Sequence, residues 1–484
     1  MKTQGVLPTK GSRVWSIVCA CTLLPFTAYA QRAPSVPDRP WESGRAENGL
    51  HAGPGNEMKL DPAHIYTLSE LIDLAEQNNP ATREAWAFAK GRATLLGISR
   101  SDLYPTLVAG ALGATSKDGV LINENFALQS VGEYDLVFSL SYTLLDFGER
   151  RGHIDESRAH LLAANFRFNQ VHLELVSRVL AAFFRFQQAQ GEVVAAEANL
   201  TSARTVREAA EQRLGLGVAT VPDVLEARSA EARAVYNLES ARGARQTASG
   251  DLATVLMASP PSNYKVQSLD SLPIPDTLDE TAEQAISKAL ALRPDLLAQM
   301  EEVRAANAAV TSAHSEWYPR LMFHGDDGYL RAYGQQSPLP GAYAGANVYH
   351  AELSLNWTVF DGGRRRNEIE QARASMKRAE ADVDRKRDEV SDEVWRAYSD
   401  VNTAFRQRDA ATTLLTASSD SYEAALESYR LGVRNLVDLL AAERDLADAR
   451  SADITARVGV LNSLAALAYS TGDLLKTTAR RPAP

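Results

Sequence analysis

Two stretches of the chain follow one pattern, YTLLDFG at residues 142–148 and WTVFDGG at residues 357–363. In each, an aromatic residue and a threonine precede an aspartate and a glycine. Further pairs recur in the same order at an offset of 214 to 215 residues: Thr67-Leu-Ser-Glu70 with Thr281-Ala-Glu-Gln284, Asn79-Pro80 with Arg293-Pro294, Tyr104-Pro105 with Tyr318-Pro319, Leu216-Gly217-Val218 with Leu431-Gly432-Val433, and Asp223 with Asp438. This period is far longer than that of a solenoid, so the pattern indicates a duplicated domain.

The landmarks predict the extent of each copy. The first repeat covers residues 63–258 and the second residues 277–472, with a proline-containing linker at residues 259–276 and a tail at residues 473–484. A helix should open each copy, from Leu68 to Leu103 and from Ala282 to Trp317, since Tyr-Pro disfavours helix beyond those points. Two strands should follow in each copy, at residues 106–116 and 134–145 and at residues 320–330 and 349–360, separated by loops at residues 117–133 and 331–348.

The strands are predicted from alternation. Leu136, Phe138, Leu140 and Tyr142 alternate with polar residues, and Leu353, Leu355 and Trp357 do the same in the second copy. Segments of about ten residues with an apolar face, a polar face and a terminal aromatic residue are typical of a membrane β-barrel. A half-buried sheet in a soluble protein gives the same alternation.

A long helical hairpin is predicted after each second strand. Apolar or small residues recur every seven positions in both copies: Ile154, Leu161, Phe168, Leu175 and Ala182, then Ile369, Met376, Val383, Val390 and Ala397. A sustained seven-residue repeat indicates a left-handed coiled coil. No proline occurs from Gly148 to Gly217 or from Gly363 to Gly432, which allows rods of roughly 100 Å. Reverse helices, at residues 222–257 and 435–469, should complete the hairpins.

The N-terminus reads as a secretory signal over residues 1–30. Three basic residues precede an apolar stretch, and Ala28-Tyr-Ala30 is a suitable cleavage site. Cleavage would remove both cysteines, so we expect no disulfide or thiol chemistry in the mature chain. Cleavage before Cys21 to give a lipoprotein is the less favoured alternative, because it leaves too short an apolar run. Residues 31–62 are rich in proline and glycine and are expected to be a disordered linker.

These landmarks resemble the TolC-like outer-membrane factor family, or outer membrane efflux proteins, over about residues 64–472. The resemblance implies a homotrimer in the outer membrane, with four strands per protomer in one 12-stranded transmembrane β-barrel. That barrel would continue into a long α-helical coiled-coil barrel in the periplasm. Four strands are also too few to close a barrel in one chain, because single-chain barrels start at about eight strands.

The function implied by the resemblance is that of a channel-tunnel in a tripartite export system. Its partners would be a periplasmic adaptor (membrane fusion protein) and an inner-membrane pump or ABC transporter. Type I protein secretion and the efflux of drugs or metal ions both stay open, since each cargo would pass a wide polar tube. The lack of a convincing lipid-anchor cysteine favours the protein-secretion branch of the family.

The resemblance also assigns candidate gate residues beside the two turns. Asp223, Tyr429 and Arg434 match positions that close the periplasmic end of the tunnel, and Asp438 matches the first of two pore aspartates three residues apart. The second of those positions is Ala441 here, so one charge ring is missing. A simpler interpretation assigns Asp223 and Asp438 to the stabilisation of helix N-termini. The turns themselves, Leu216-Gly217-Val218 and Leu431-Gly432-Val433, are the candidate contacts for the adaptor.

Enzymatic, cofactor and nucleic-acid functions are not expected. The sequence has no metalloprotease, Walker or nucleophile-elbow motif, and the carboxylate pair Asp326-Asp327 lies in a predicted strand. A net charge of −10 disfavours nucleic acid. The main alternative function is a soluble periplasmic coiled-coil scaffold or adaptor, which would share the signal and the heptads but would not need paired strands in each repeat.

Overall fold

The computed structural model describes residues 60–122, 125–259, 264–268, 274–336 and 341–474. The chain divides into two units, residues 1–56 and 57–484, and the described residues all lie in the second. The expected signal peptide, most of the expected 31–62 linker and most of the expected tail therefore lie outside the described residues.

The two copies have the same order of elements, as the repeat predicted. The first contains β1 (Ile65–Tyr66), α1 (Leu68–Asn78), α2 (Pro80–Ser101), β2 (Thr106–Ile122), β3 (Asn125–Leu145), α3 (Glu149–Gly215) and α4 (Val221–Val255). The second contains β4 (Lys265–Val266), α5 (Ala282–Leu292), α6 (Pro294–Ser315), β5 (Arg320–Gln336), β6 (Ala342–Asn356), α7 (Arg364–Arg430) and α8 (Leu436–Ser470). The short strands β1 and β4 pair in parallel and were not predicted.

The prediction of one continuous helix at the start of each copy was wrong, because the helical segment there is broken into two helices. Asn79 is extended, and its side chain accepts a hydrogen bond from the Ala81 N–H at 2.8 Å. Arg293 is extended at the equivalent break. A proline follows each of these residues and disfavours helical conformation at the residue before it. The Asn-Pro and Arg-Pro landmarks therefore mark helix boundaries.

The prediction of long loops between the strands was also wrong. β2 and β3 pair from Thr106 and Ser141 to Ile122 and Asn125, so nearly all of residues 117–133 are strand. In the second copy β5 reaches Gln336, while β6 begins at Ala342 and ends at Asn356. Glycine, small and polar residues suggested loops, but here they lie in strands whose backbones pair along their length.

The four long strands form one antiparallel sheet in the order β2-β3-β5-β6. Its apolar face carries Leu136, Phe138, Leu353 and Leu355, each between 49% and 65% exposed. Its polar face carries Asp135, Ser139, Ser141 and Ser354 among others. An exposed apolar face of this kind is typical of a surface that another partner or a membrane covers.

The rods α3 and α7 each contain 67 residues, as their uninterrupted heptads predicted. None of the ten heptad residues named above is exposed. α4 returns along α3, α8 returns along α7, and α3 also packs against α6 and α8. α3 and α6 approach closely at Gly152, where an added Cβ would lie 2.8 Å from the Ser312 Cβ.

Two similar cores hold the short opening helices to the rods. In the first copy Leu71 of α1 packs with Val179 and Phe183 of α3 and with Leu252 of α4, all fully buried. Burying a side chain of this size contributes about 1.5–3 kcal/mol. Ala285 of α5 takes the equivalent place against α7 in the second copy. Within the described residues no helix is long and apolar enough to cross a membrane.

Candidate gate at the two helical turns

The first rod ends in a glycine turn. Gly217 has φ +75°. Its N–H donates to the Leu214 carbonyl at 2.9 Å, and the Val218 N–H donates to the Arg213 carbonyl at 3.0 Å. This pair of hydrogen bonds ends a helix at a left-handed residue, a conformation that costs glycine least.

The second rod ends in the same way. Gly432 has φ +83°, and its N–H donates to the Tyr429 carbonyl at 3.0 Å. The Val433 N–H donates to the Ser428 carbonyl at 2.9 Å. At both tips the apolar side chains are between 60% and 79% exposed, a set made up of Leu216, Val218, Leu431 and Val433. The predicted turn residues therefore form two exposed apolar tips on matching backbones.

Asp223 lies in the first turn of α4 and completes a capping box with Thr220. The Thr220 N–H and hydroxyl both donate to Asp223 Oδ2 at 2.8 Å. These hydrogen bonds hold the pKa of Asp223 below its ordinary value, and Arg213 adds to the effect. The contacts within the chain agree with a helix-terminus role, while Oδ1 accepts no hydrogen bond from the described residues.

Arg434 and Asp438 are exposed residues beside the second turn. The Asp438 N–H donates to the Asn435 side chain at 2.8 Å, so Asn435 caps α8 and the Asp438 carboxylate is not used for capping. Arg434 has no ion pair among the described residues, and its guanidinium does not contact Asp223 within the chain. Ala441 is also exposed on α8.

Tyr429 differs from the other candidates because it is only 3% exposed. It packs with Val206 and Val224 of the first hairpin and with Leu439 of α8. Burial raises the pKa of Tyr429, although the neighbouring Arg213 opposes the shift. Its hydroxyl is buried and has no hydrogen-bond partner among the described residues. Tyr429 thus lies between the two hairpins rather than on the surface of one.

The structure adds Arg213, which the sequence did not single out. Its guanidinium donates to the Tyr429 carbonyl and, at 3.3 Å, to the Val218 carbonyl. The guanidinium carbon also lies 4.8 Å from the centre of the Tyr429 ring, a cation–π geometry. We call this set of contacts the Arg213 clasp. It ties the first turn to the second within one chain.

No sequence signal distinguished Arg213, because a basic residue in the last turn of a helix is common. The equivalent residue in the second copy is Ser428. The repeat therefore gave no reason to single out this position, and the clasp exists in one copy only.

Each copy also has a polar cluster at the other end of the rod, where the sheet joins it; we call this place the junction. Asp146 Oδ2 lies 2.5 Å from Arg150 Nε, and Asp361 Oδ2 lies 2.6 Å from Arg365 Nε. Arg150 also donates to the Asp102 carbonyl at 3.1 Å, as Arg365 does to the equivalent Glu316 carbonyl at 3.2 Å. The repeat located the two aspartates, but not their arginine partners.

The junction carboxylates lie just beyond the strands. Burial alone would raise the pKa of Asp361, but hydrogen bonds from the Arg365 side chain and backbone and from the Gly363 N–H lower it to about 2. Burial and Arg150 act on Asp146 in the same opposed way, and its pKa is also lowered. Both aspartates are therefore held in the charged form at neutral pH.

Two kinds of chemistry, carboxylate-pair catalysis and metal binding, lack a site among the described residues. Asp326 and Asp327 are neighbours in β5, so their side chains lie on opposite faces of the sheet and do not form a carboxylate pair. In the part of the chain that the structure describes, no cluster of three or more His, Cys, Asp or Glu side chains could hold a metal ion.

Comparisons with known proteins agree with this architecture. The family model described as outer membrane efflux protein matches residues 71–256 and 285–473. Protein CyaE of Bordetella pertussis is 28% identical over 90% of this chain and 92% of its own length. Outer membrane protein OprJ of Pseudomonas aeruginosa is 26% identical over 78% of each chain.

Among solved structures, the outer-membrane channel OprN superposes with a TM-score of 0.71 at 23% identity. The match covers 85% of this chain and 94% of that one. The family match spans both copies of the repeat, with their strands and rods, and a channel family supports a function other than catalysis. The chain therefore belongs to the outer membrane efflux protein family, and it is an outer-membrane export channel rather than a soluble periplasmic scaffold.

Proposed function

We propose that three copies of this chain assemble into one export duct. Each copy contributes its four-stranded sheet to a twelve-stranded barrel in the outer membrane and its rods to a helical tunnel in the periplasm. The duct passes cargo onward from an inner-membrane pump or ABC transporter through a periplasmic adaptor. Type I protein secretion and efflux are the two export routes that fit.

The sheet is the observation that carries this proposal. β2 and β6 are its edge strands, and within the described residues neither pairs on its outer side. Strand edges cannot face lipid without hydrogen-bond partners, because hydrocarbon supplies none. The exposed apolar face and the polar face opposite it suit a wall between lipid and water. Copies of the same sheet would pair the open edges.

The two tips support the contact with an adaptor. Leu216, Val218, Leu431 and Val433 form exposed apolar ends on two turns of equal geometry. Six such ends in a trimer would present a repeated apolar surface at the periplasmic entrance. We expect the adaptor to bind there through matching apolar residues.

The gate is proposed at the same end of the rods. Arg434 and Asp223 Oδ1 have no ion pair with each other in one chain, so they are available to neighbouring hairpins in the trimer. Tyr429 and the Arg213 clasp would hold the two hairpins of each protomer together as one moving unit. Asp438 would add one ring of carboxylates to the pore.

Native mass spectrometry of the detergent-solubilised chain tests the assembly. We expect a trimer, recovered from the outer-membrane fraction. The same sample in planar bilayers should give long-lived ion conductance. A monomer with a complete barrel would overturn the proposal, as would recovery of the chain in the periplasmic extract.

A further inference from the structure

Two short motifs of equal design meet on the polar face of the sheet. β5 carries His324-Gly-Asp326, and β6 carries His350-Ala-Glu352. Residues two apart in a strand share a face. In the antiparallel register His324 is opposite Glu352 and Asp326 is opposite His350. We call these four residues the His-carboxylate block.

The side chains of the block are close together. His324 Nε2 lies 3.0 Å from Asp326 Oδ2, and His350 Nδ1 lies 3.9 Å from the same oxygen. The two imidazole rings are 6.5 Å apart between centres. Both histidines remain about half exposed, so water and ions reach them. Three of the four side chains are therefore close together on an open surface, and Glu352 belongs to the block as the strand partner of His324.

Few other charges share this part of the polar face. On β3 the block meets Ser139 and Ser141, while Asp135 and Glu133 lie farther along the strand. Arg320 lies on the same face of β5, but its guanidinium is paired with Glu149. On β2 the ionisable side chain of this face is Asp118, near the opposite end of the sheet. The four residues of the block thus set the local charge.

We propose that the His-carboxylate block is an ion-selecting site inside the channel, with a strength that depends on pH. The proposal rests on the function proposed above, in which the polar face lines the pore. Its permeants are small inorganic ions and charged groups on the cargo. Protons on His324 and His350 control whether the site attracts cations.

The charge follows from the residues. With both histidines neutral, Asp326 and Glu352 give the block a charge of −2, and three protomers give −6. With both histidines protonated the two positive charges cancel the two negative ones, and the ring is neutral. Histidine is the side chain that ordinarily changes charge between pH 5 and 8. Cation preference should therefore weaken as the pH falls through this range.

The experiment measures reversal potentials of the full trimer in planar bilayers under a KCl gradient at pH 8 and pH 5. Wild-type channels should prefer K⁺ at pH 8, and the K⁺/Cl⁻ permeability ratio should fall by at least about twofold at pH 5, since nearby unpaired charges act within a Debye length. H324N/H350N should keep most of its cation preference at pH 5. D326N/E352Q should show low preference at both pH values.

His64→Asn is the matched control. His64 Nε2 lies 3.3 Å from Glu70 Oε2, so the variant breaks the same kind of pair beside α1 instead of in the sheet. It should behave like the wild type. An equal pH response in wild type and H324N/H350N, with conducting trimers in both, would overturn this inference and leave the proposed function intact. A wild-type trimer that never conducts would overturn the proposed function and this inference with it.

Discussion

Each copy has two connections at the ends of its rod, and these two connections have diverged to different degrees between the copies. At the junction between sheet and rod, Asp146 with Arg150 and Asp361 with Arg365 make the same contacts in both copies. At the tips of the rods the backbones match, but the side chains do not. The Arg213 clasp and the Thr220 capping box belong to the first tip, and the Asn435 cap and the exposed Arg434 belong to the second.

We interpret the difference as one of role. The junction joins the sheet to the rod in both copies, whereas the tips are the proposed gate. Gly148 and Gly363 are both left-handed, and in each copy the aspartate two residues earlier accepts hydrogen bonds from the glycine N–H and from the N–H two residues further on. In the trimer proposed above, the tips meet neighbouring hairpins, where complementary groups are needed on opposite sides of a contact. A pair such as carboxylate and guanidinium requires the two copies to differ.

The largest effect is expected at the junctions. Arg365 is only 4% exposed, so Asp361→Ala leaves a buried guanidinium without its carboxylate, which is strongly destabilising in general. Asp146→Ala should destabilise the junction of the first copy in the same way. We expect each to lower the Tm of the trimer by about 5 °C or more, measured by differential scanning calorimetry. The control Glu368→Ala, which removes an exposed partner of Arg364, should change it little.

The junction effect should depend on acid pH with a definite sign. The folded-state pKa of Asp361, about 2, is below its ordinary value of 3.8. Its contribution is therefore complete above about pH 4 and is lost as the pH falls towards 2. The Tm values of wild type and Asp361→Ala should converge over that window. A large effect in only one of the two junction variants would break the equivalence of the copies.

The sequence predicted the architecture better than it predicted the contacts between side chains. Heptads, glycines and aspartates recur at one offset, so the rods, their turns and the sheet could be located from local pattern. Arg150, Arg365 and Arg213 could not be assigned, because arginines are common on helix surfaces and their partners lie on other elements. The strand lengths were underestimated since alternation of small and polar residues, as at residues 342–348, resembles a loop. The helix breaks at Asn79 and Arg293 are caused by the prolines that follow them. They were missed because the helical periodicity continues across these prolines.

The next largest effect is expected from Arg213→Met. Methionine keeps an apolar stem but cannot donate to the Tyr429 and Val218 carbonyls, and a hydrogen bond to a charged group is worth about 1.5–3 kcal/mol. Freed hairpins should open more often, with mean conductance raised by at least about twofold in planar bilayers. Arg213→Lys should recover part of the closure, because an ammonium lacks the planar fork of donors.

Arg228→Met controls for the loss of a guanidinium from the same hairpin. Arg228 pairs with Glu211, between α4 and α3 of one hairpin, and does not join the two turns. Its conductance should remain that of the wild type. Equal conductance in the Arg213 and Arg228 variants would show that the clasp does not control opening.

A smaller effect is expected from Arg434→Ser and from Asp223→Ala. Arg434 is exposed and Asp223 is partly exposed, and exposed ion pairs contribute about 1 kcal/mol or less, so partial opening is expected. Asp223→Asn separates two roles, since it removes the charge and keeps an oxygen that can accept from Thr220. If the charge closes the gate, Asp223→Asn should conduct like Asp223→Ala. A wild-type level of conductance in Asp223→Asn and Arg434→Ser would assign Asp223 to capping alone.

The smallest effect is expected from Asp438→Asn, and it should change selectivity rather than closure. Asn435 caps α8 in place of Asp438, so the carboxylate is free of the helix-terminus role that occupies Asp223. As one ring of three carboxylates it should attract cations, and its loss should lower the K⁺/Cl⁻ permeability ratio and weaken block by divalent cations. The effect stays small because Ala441 supplies no second ring, and Ala441→Asp should enlarge it. Reversal potentials and divalent titrations in planar bilayers measure both. A change in open probability without a change in selectivity would instead place Asp438 in the contacts that close the tips.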